Sequence, residues 1–490
     1  MNKRLLSLVA GLLAVSSAHA QTYYGKTFMK PQVVGSCISE NVVQWRPGSE
    51  ACAKPTRLGM TLFTEQSTNK TAVGKYFGPN GKNIFSIGAS TTAADIDGDF
   101  LVHDEDKAGA STLRATVALR PSRAVYGAQF ALERDLDLPV KGLMVRVGVP
   151  LVNVEHKLGY DFSNAASVAI ANTSGSQTAT AEQFFTGNVK ITNQGAASQY
   201  NQQNPLTKNR FKKNESTAGF GDISLGIGKV LVDNGANRCV VMLDAILPTS
   251  DHAKADYLFE PLRGNAGHFG LRLGVDAQAE VWRKKDIAVL ADAHAKATYF
   301  FESSENRVLG LKNLSSTNSG TLTKTEYAHY ALVQNSSTYS NPLQPAANFL
   351  AESLRVRPGA ELTAGLQARV AYKQFTVGVG YDALFRDAES VWRKSNADLV
   401  PQIVSEAYEV GDAFSLIAND LISLKAANLS TDAARTPVQL VHNFAAEATF
   451  RPMLKACSSM TLALGASYQI LADNSGVEQY GVWLAAGWAF

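Results

Sequence analysis

Beyond residue 20 the chain lacks any run of about eighteen uninterrupted apolar residues, and each membrane-spanning helix needs one. A helical membrane protein is therefore excluded. Charge is scarce, at 18% of residues, where ordinary soluble domains carry about 25%. The formal net charge of +3 is too small to create the basic field a dedicated nucleic-acid binder shows. Only four cysteines are present, with no CxxC pair or His-Cys cluster, so no metal motif stands out and no cofactor is implied. Proline is sparse, at 16, whereas glycine reaches 38. A hydrophobic fraction of 45% is too high for a disordered chain. Length alone suggests two to four soluble domains, and the two ends of the chain argue otherwise.

Lys3 and Arg4 precede a short apolar stretch, Leu5 to Ala18, and Ala18-His19-Ala20 is a small-x-small site. Residues 1–20 thus read as an export signal cleaved after Ala20. Export changes the meaning of the cysteines. In an oxidising compartment Cys37 and Cys52 are expected to bridge, closing a loop of about 15 residues worth roughly 3 kcal/mol in the chain-entropy treatment. Cys239 and Cys457 each precede a strand-like run and read as structural.

The chain ends V-E-Q-Y-G-V-W-L-A-A-G-W-A-F. From Phe490 backwards every second residue is apolar: Trp488, Ala486, Leu484, Val482, Tyr480. The other face is mixed and small: Ala489, Gly487, Ala485, Trp483, Gly481. The same alternation recurs in 460–470, 375–383, 362–373 and 269–281. Such a period of two gives a strand one lipid face and one lumen face. Runs of about 10–14 residues match a tilted membrane crossing better than a strand of a soluble sandwich.

These features predict an all-β, transmembrane, antiparallel up-and-down barrel over residues 57–490, of about 14 strands, with 12 to 16 compatible with the same pattern. Counting back from Phe490 gives strands at 477–490, 457–471, 438–450, 374–385, 354–372, 286–301, 267–281, 239–247, 219–232, 142–158, 124–134, 112–120, 83–91 and 57–65. Both termini are expected at the periplasmic end. Short turns near Asp233–Asn237, Arg283–Lys285 and Leu136–Lys141 then fall inside, and the long inserts 161–218, 302–352 and 386–436 fall outside. The joint 92–111 is long for a periplasmic turn. Phe269, Tyr299, Phe301, Tyr381, Phe385, Tyr468 and Tyr480 form one aromatic belt, and Trp488, Phe490 and Phe450 the other. Residues 21–56 precede the wall as a plug or a periplasmic extension. Phe414, Ile417, Leu421 and Leu424 recur at helical spacing, predicting a short amphipathic helix.

The most polar wall stretch places Arg272, Asp276, Gln278 and Glu280 on one strand and Asp292, His294, Lys296 and Thr298 on the next. With a hairpin near Lys284 they face each other as a ladder of mixed charge. Arg114, Arg146, Arg369 and Glu447 extend it. Wall charges of this kind set which solutes exchange hydration for contacts. They serve equally as a salt-bridge network that fills the barrel. Asp292 and His294 lie about 7 Å apart along one strand, too far for a catalytic pair, and no nucleophile accompanies them, so no enzyme is expected. Asp95, Asp97 and Asp99 have the spacing of calcium ligands, but Phe100 stands where the loop needs glycine. G-F-G-D-I-S-L-G-I-G (219–228) is a strand rather than a phosphate loop.

With its export signal, alternation and terminal Phe490, the chain resembles bacterial outer-membrane β-barrels. The resemblance implies residence in the outer membrane, contact with its lipid, and reading of the last strand at Phe490 by the barrel-assembly machinery. Within that class it is loosely similar to porins. It is also loosely similar to the long-chain fatty-acid and aromatic-hydrocarbon transporters, which carry an N-terminal hatch. The hairpin 219–250 is similar to a Gly-Asp strand and Pro-Thr turn found in barrels associated with aromatic-compound degradation. The expected function is a diffusion channel for small solutes, with no nucleic-acid partner. The alternatives are a hatch-gated transporter for hydrophobic compounds and a structural or adhesive surface protein.

Overall fold

The computed structural model describes residues 23–30, 56–88, 94–98, 101–102, 113–136, 141–170, 177–191, 203–312, 325–334, 343–395, 402–404, 421–423, 426–452 and 459–490. Twelve antiparallel strands form the wall: β1 (Thr56–Ser67), β2 (Ser122–Leu136), β3 (Leu143–Lys157), β4 in two pieces (Asn214–Phe220 and Ile223–Asp233), β5 (Asn237–Leu247), β6 (Gly270–Lys284), β7 (Ile287–Phe300), β8 (Glu361–Tyr372), β9 (Phe375–Arg386), β10 (Gln439–Phe450), β11 (Ser459–Leu471) and β12 (Gln479–Ala489). Each pairs with its sequence neighbour, and β12 pairs with β1 from Arg57↔Ala489 to Ser67↔Gln479. The wall is closed and has no free edge. Closure leaves no strand edge of unpaired amides, which a bilayer demands.

Alternation sets which side chains meet lipid. On the outward faces Val379 is 61% exposed and Leu464 56%, whereas the inward Thr61 and Trp483 are 0% and 2% exposed. An apolar band of this extent on a soluble surface would be an aggregation site; around a closed barrel it is the hydrocarbon-facing belt. Both aromatic belts are present, Tyr299 and Tyr480 at one end and Trp488 and Phe490 at the other.

The count of twelve lies at the lower bound of the expected span, and the difference from fourteen has a physical cause. Both 83–91 and 112–120 belong to the insert 68–121, which leaves β1 and enters β2 at the outer rim, where Gln66 faces Ala124. There Ile84–Gly88 and Arg114–Leu119 pair with each other, and with Ile96–Asp97 and Tyr160–Ala166, in a separate sheet. Their alternation buries Phe85, Ile87, Val117 and Leu119 against protein instead of exposing a lipid face. The period-two signal is the same in both settings. Removing these two strands also removes the ill-fitting periplasmic turn at 92–111. Similarly, Glu361–Tyr372 alone joins the wall from 354–372, while Ala351–Arg357 pairs with Ser303–Val308 and Ser390–Trp392 outside it.

The long inserts are not separate solvated loops. Residues from 68–121, 158–213, 248–269, 301–360 and 387–438 share one hydrophobic core, including Phe77, Phe185, Phe259, Tyr330 and Leu429. They form a cap on the outer end. In it α1 (Lys70–Phe77) buries Val73, Tyr76 and Phe77. Of the predicted helix, Phe414, Ile417 and Leu424 lie outside the described residues. Leu421 begins a three-residue strand paired with Gln402–Val404, so that end is not helical.

Residues 23–30 lie at the end of the barrel opposite to the β1–β12 closure at Thr56 and Phe490. The wall ends inside at Phe490, which exchanges backbone hydrogen bonds with Thr56 at 2.8 and 3.0 Å. Tyr23, in contrast, binds Asn474 in the outer β11–β12 turn through hydrogen bonds of 2.7 and 2.6 Å. A short epitope inserted after Ala20 is therefore expected to be bound by antibody on intact cells. Binding only after permeabilisation would contradict this placement. Residues 1–20 lie outside the described residues, as do Cys37, Cys52 and Cys457. Cys239 is a free thiol on β5.

Candidate functional site: the charged lumen and its outer mouth

The inward faces of β3 to β10 carry a ring of charge. Asp244 on β5 accepts from Arg272 Nε at 2.9 Å and Arg146 Nη2 at 3.2 Å, joining three strands. Asp292 on β7 accepts from Arg369 Nε and Nη2, both at 2.5 Å, and from Gln278. Glu447 accepts from Gln367 at 2.8 Å. His294 lies 3.3 Å from Asp382, which also accepts from Asn443 at 3.1 Å. Nearer the inner end Arg57 holds Asp135 at 3.1 Å, and Glu280 pairs with Arg283 on its own strand.

The hairpin register is as expected, with Asp276 opposite His294 and Gln278 opposite Asp292. The ion pairs, however, run sideways to neighbouring strands, so the predicted ladder is a collar around the wall. Gly378 makes one such reach feasible, because a Cβ there would lie 2.7 Å from Arg369 Cγ. Lys296 stands in register with Gly274 on the same wall. Arg114 is elsewhere: it is an exposed residue of the cap sheet and does not line the lumen.

The opposite arc carries an apolar cluster beside a buried polar set, in which Arg123 Nη1 donates to Gln479 at 2.9 Å and Gln479 Nε2 donates to Glu65 at 3.2 Å. Phe63 on β1 and Trp483 on β12 are direct cross-strand neighbours and point inward. They cluster with Val125, Val152, Val154, Ala463 and Ala485. Gly127 and Gly465 leave the space these rings occupy. In the sequence Trp483 falls on the small face of the last strand, where no role is expected of it. The signal was available as one large aromatic among glycines and alanines.

At the outer mouth, Thr27 to Lys30 are buried beneath the cap. Thr27 Oγ1 donates to Val308 O at 2.6 Å, and Lys30 N donates to Thr436 Oγ1 at 3.1 Å. Phe28 lies under the Arg307 guanidinium, 3.7 Å from ring centroid to Cζ. Arg307 donates to both oxygens of Glu305 and of Glu389, with Nη1 2.6 Å from Glu389 Oε2. Both nitrogens of His268 face oxygen, Phe301 O at 2.8 Å and Glu305 at 2.6 Å. Arg386 completes the group by binding Glu361 at 2.6 Å. Burial pushes the Lys30 amine down, and the Arg386 guanidinium adds to the effect. For Glu389 burial acts to raise the carboxyl, but Arg307, Lys30 and the Thr436 amide outweigh it and hold the group at about 2.

The G-F-G-D segment is where β4 breaks. Asp222 accepts from Ser250 N at 3.2 Å and from Asn265 N at 2.6 Å. Thr249 bridges Gly221 O and Ile223 N at 2.5 and 3.1 Å. Arg263 packs on Gly219, whose φ of +146° suits glycine, and its Nε reaches Asp251 Oδ2 at 2.6 Å. The Pro-Thr turn thus anchors the cap to the rim. Asp95 is occupied by Lys82 at 2.5 Å and Ser86 N at 3.0 Å, as befits a structural carboxylate.

No family model matches the chain, and no curated protein matches it. Solved structures similar to it are bacterial outer-membrane barrels. An outer-membrane channel from Pseudomonas putida F1 is 11% identical, covers 91% of this chain and 100% of its own, and has a TM-score of 0.38. The beta domain of the Bordetella autotransporter BrkA is 8% identical, covering 90% and 99%, with a TM-score of 0.31. The Pseudomonas putida toluene transporter TodX is 9% identical, covering 96% and 98%, with a TM-score of 0.25.

Proposed function

We propose that the chain is an outer-membrane channel for small polar solutes whose outer mouth is held shut at rest by its own N-terminal strip. The observation that carries this reading is the seating of Thr27–Lys30 on the Arg307 network; in support of it, we assign Arg146, Arg272, Asp276, Glu280, Asp292, His294, Lys296, Arg369 and Glu447 to the solute path beneath the strip. A collar of paired charge offers exchangeable partners to a hydrated solute and repels a greasy one. Of the two transport expectations, the solute class comes from the diffusion channel and the closure from the hatch. An export signal cleaved after Ala20 delivers the chain to the membrane. Phe490, 53% exposed at the inner end, is available to the assembly machinery.

Planar-bilayer conductance tests the reading. The full mature chain is expected to be silent or to flicker. A variant lacking residues 21–30 is expected to show steady ohmic steps. Equal steady conductance from both would remove the strip as a closure. Silence from both, with heat-modifiable folded barrel on gels, would remove the channel.

A further inference from the structure

At the inner rim two hairpin turns lie side by side. Lys285–Asp286 joins β6 to β7, and Lys373–Gln374 joins β8 to β9. Ile287 pairs with Tyr372, and Lys373 N donates to Asp286 O at 3.4 Å. In each turn the first residue has positive φ, 52° at Lys285 and 51° at Lys373. A two-residue hairpin with positive φ at its first position ordinarily places glycine there. Both turns place lysine instead. Lys284 is exposed directly beside them, and Asp286 is the acidic group in the corner. The neighbouring Arg283 is already paired with Glu280.

This corner borders the lipid belt. Trp282 is 48% exposed, Tyr372 49% and Phe375 58%, and the Lys373 ammonium lies 5.2 Å from the Tyr372 ring centre. A register shift between Glu280 and Trp282 coincides with exposure of both Val281 and Trp282. Indole and phenol rings settle at the depth of headgroups, with their apolar bodies toward the tails. Three ammonium groups at that depth sit level with lipid phosphates.

We propose that this corner is a headgroup site for one anionic phospholipid of the inner leaflet. Its phosphate lies among Lys284, Lys285 and Lys373, and its acyl chains lie along Trp282, Ile287 and Phe375. The inference rests on the reading of the chain as a membrane barrel. Charge selects an acidic headgroup over a zwitterionic one, because among the described residues the two turns and Lys284 bring three lysines together with the one carboxylate of Asp286. Placing lysine where glycine is easier is a local cost that a bound phosphate offsets.

The test uses the full mature protein in phosphatidylethanolamine vesicles with and without phosphatidylglycerol, then native mass spectrometry of the released protein. Wild type is expected to retain phosphatidylglycerol over phosphatidylethanolamine. In K285G/K373G that preference is expected to fall on the order of twentyfold, about fivefold per lysine. Glycine suits both turns, so the variant is expected to unfold in detergent no earlier than wild type, which separates lipid loss from misfolding. Equal retention of the two lipids by wild type, or an unchanged preference in the variant, would overturn the proposal while leaving the barrel reading intact. Failure of wild type to insert into either vesicle would overturn both.

Discussion

An Arg307→Met variant is expected to release the N-terminal strip and to conduct. Methionine keeps most of the side-chain volume but removes the donors to Glu305, Glu389 and Ala434 O. It also removes the cation above Phe28. Both carboxylates are fully buried, so the loss leaves excess negative charge where water cannot enter. Breaking a buried pair from one side costs about 3–5 kcal/mol. That cost is local to the mouth, so the cap and strip should loosen before the wall does. The expected readout is bilayer current from full-length protein together with faster proteolysis near Lys26. A closed, protease-resistant variant would show that the strip is held by something else.

Acid is expected to act in the same direction. Glu389 is held at about 2, below its ordinary value of 4.5. A depressed carboxyl contributes stability that is present above the ordinary value and lost as pH falls through the folded one. Lys30 is pushed below its ordinary 10.5, so the released strip binds more protons than the seated one. Lowering the pH therefore favours release through Lys30 on descending from its ordinary 10.5, and through Glu389 in acid below 4.5. Current from wild type is expected to rise as pH falls from about 4.5 toward 2.

Much of the wall was legible because a bilayer enforces strict period-two alternation, and each of the twelve strands carries it. The connections were legible through their length: the inner turns near Asp233, Lys284 and Leu136 are where the sequence placed them. What misled was the cap. Ile84–Gly88 and Arg114–Leu119 alternate as cleanly as β11, but one face of each meets the protein core around Phe77. Alternation reports that two faces differ, not which solvent each face meets. Arg114 went astray with its strand. The strip was illegible for a different reason. Tyr23 to Lys30 have no periodicity of their own, and their place is set by partners hundreds of residues away, Asn474, Val308 and Thr436. The charged collar was half legible, since facing residues across one hairpin followed from register, but pairing between non-adjacent segments did not.

The second large effect is expected from Arg369→Met. Arg369 is 3% exposed and grips Asp292 with two nitrogens, so removing it leaves that carboxylate held by the amide of Gln278 without a cation. A loss of about 3–5 kcal/mol is expected, seen as earlier loss of the heat-modifiable folded band. The variant also removes one positive charge from the lumen. In the background lacking residues 21–30, the reversal potential in a salt gradient is expected to move toward the cation value. Asp292→Asn in addition restores both. The pair becomes neutral, the buried charge is gone, and selectivity returns toward wild type. Replacing both partners of a buried pair is commonly near neutral, whereas replacing one is not. The double variant should therefore be more stable than Arg369→Met alone by more than about 1 kcal/mol. If the two are equally unstable, Arg369 and Asp292 are not energetically coupled, and the collar is packing rather than a selectivity element. If stability returns but the reversal potential does not, the ions pass another part of the wall, and the Arg123–Glu65 pair on β2 and β1 becomes the next place to look.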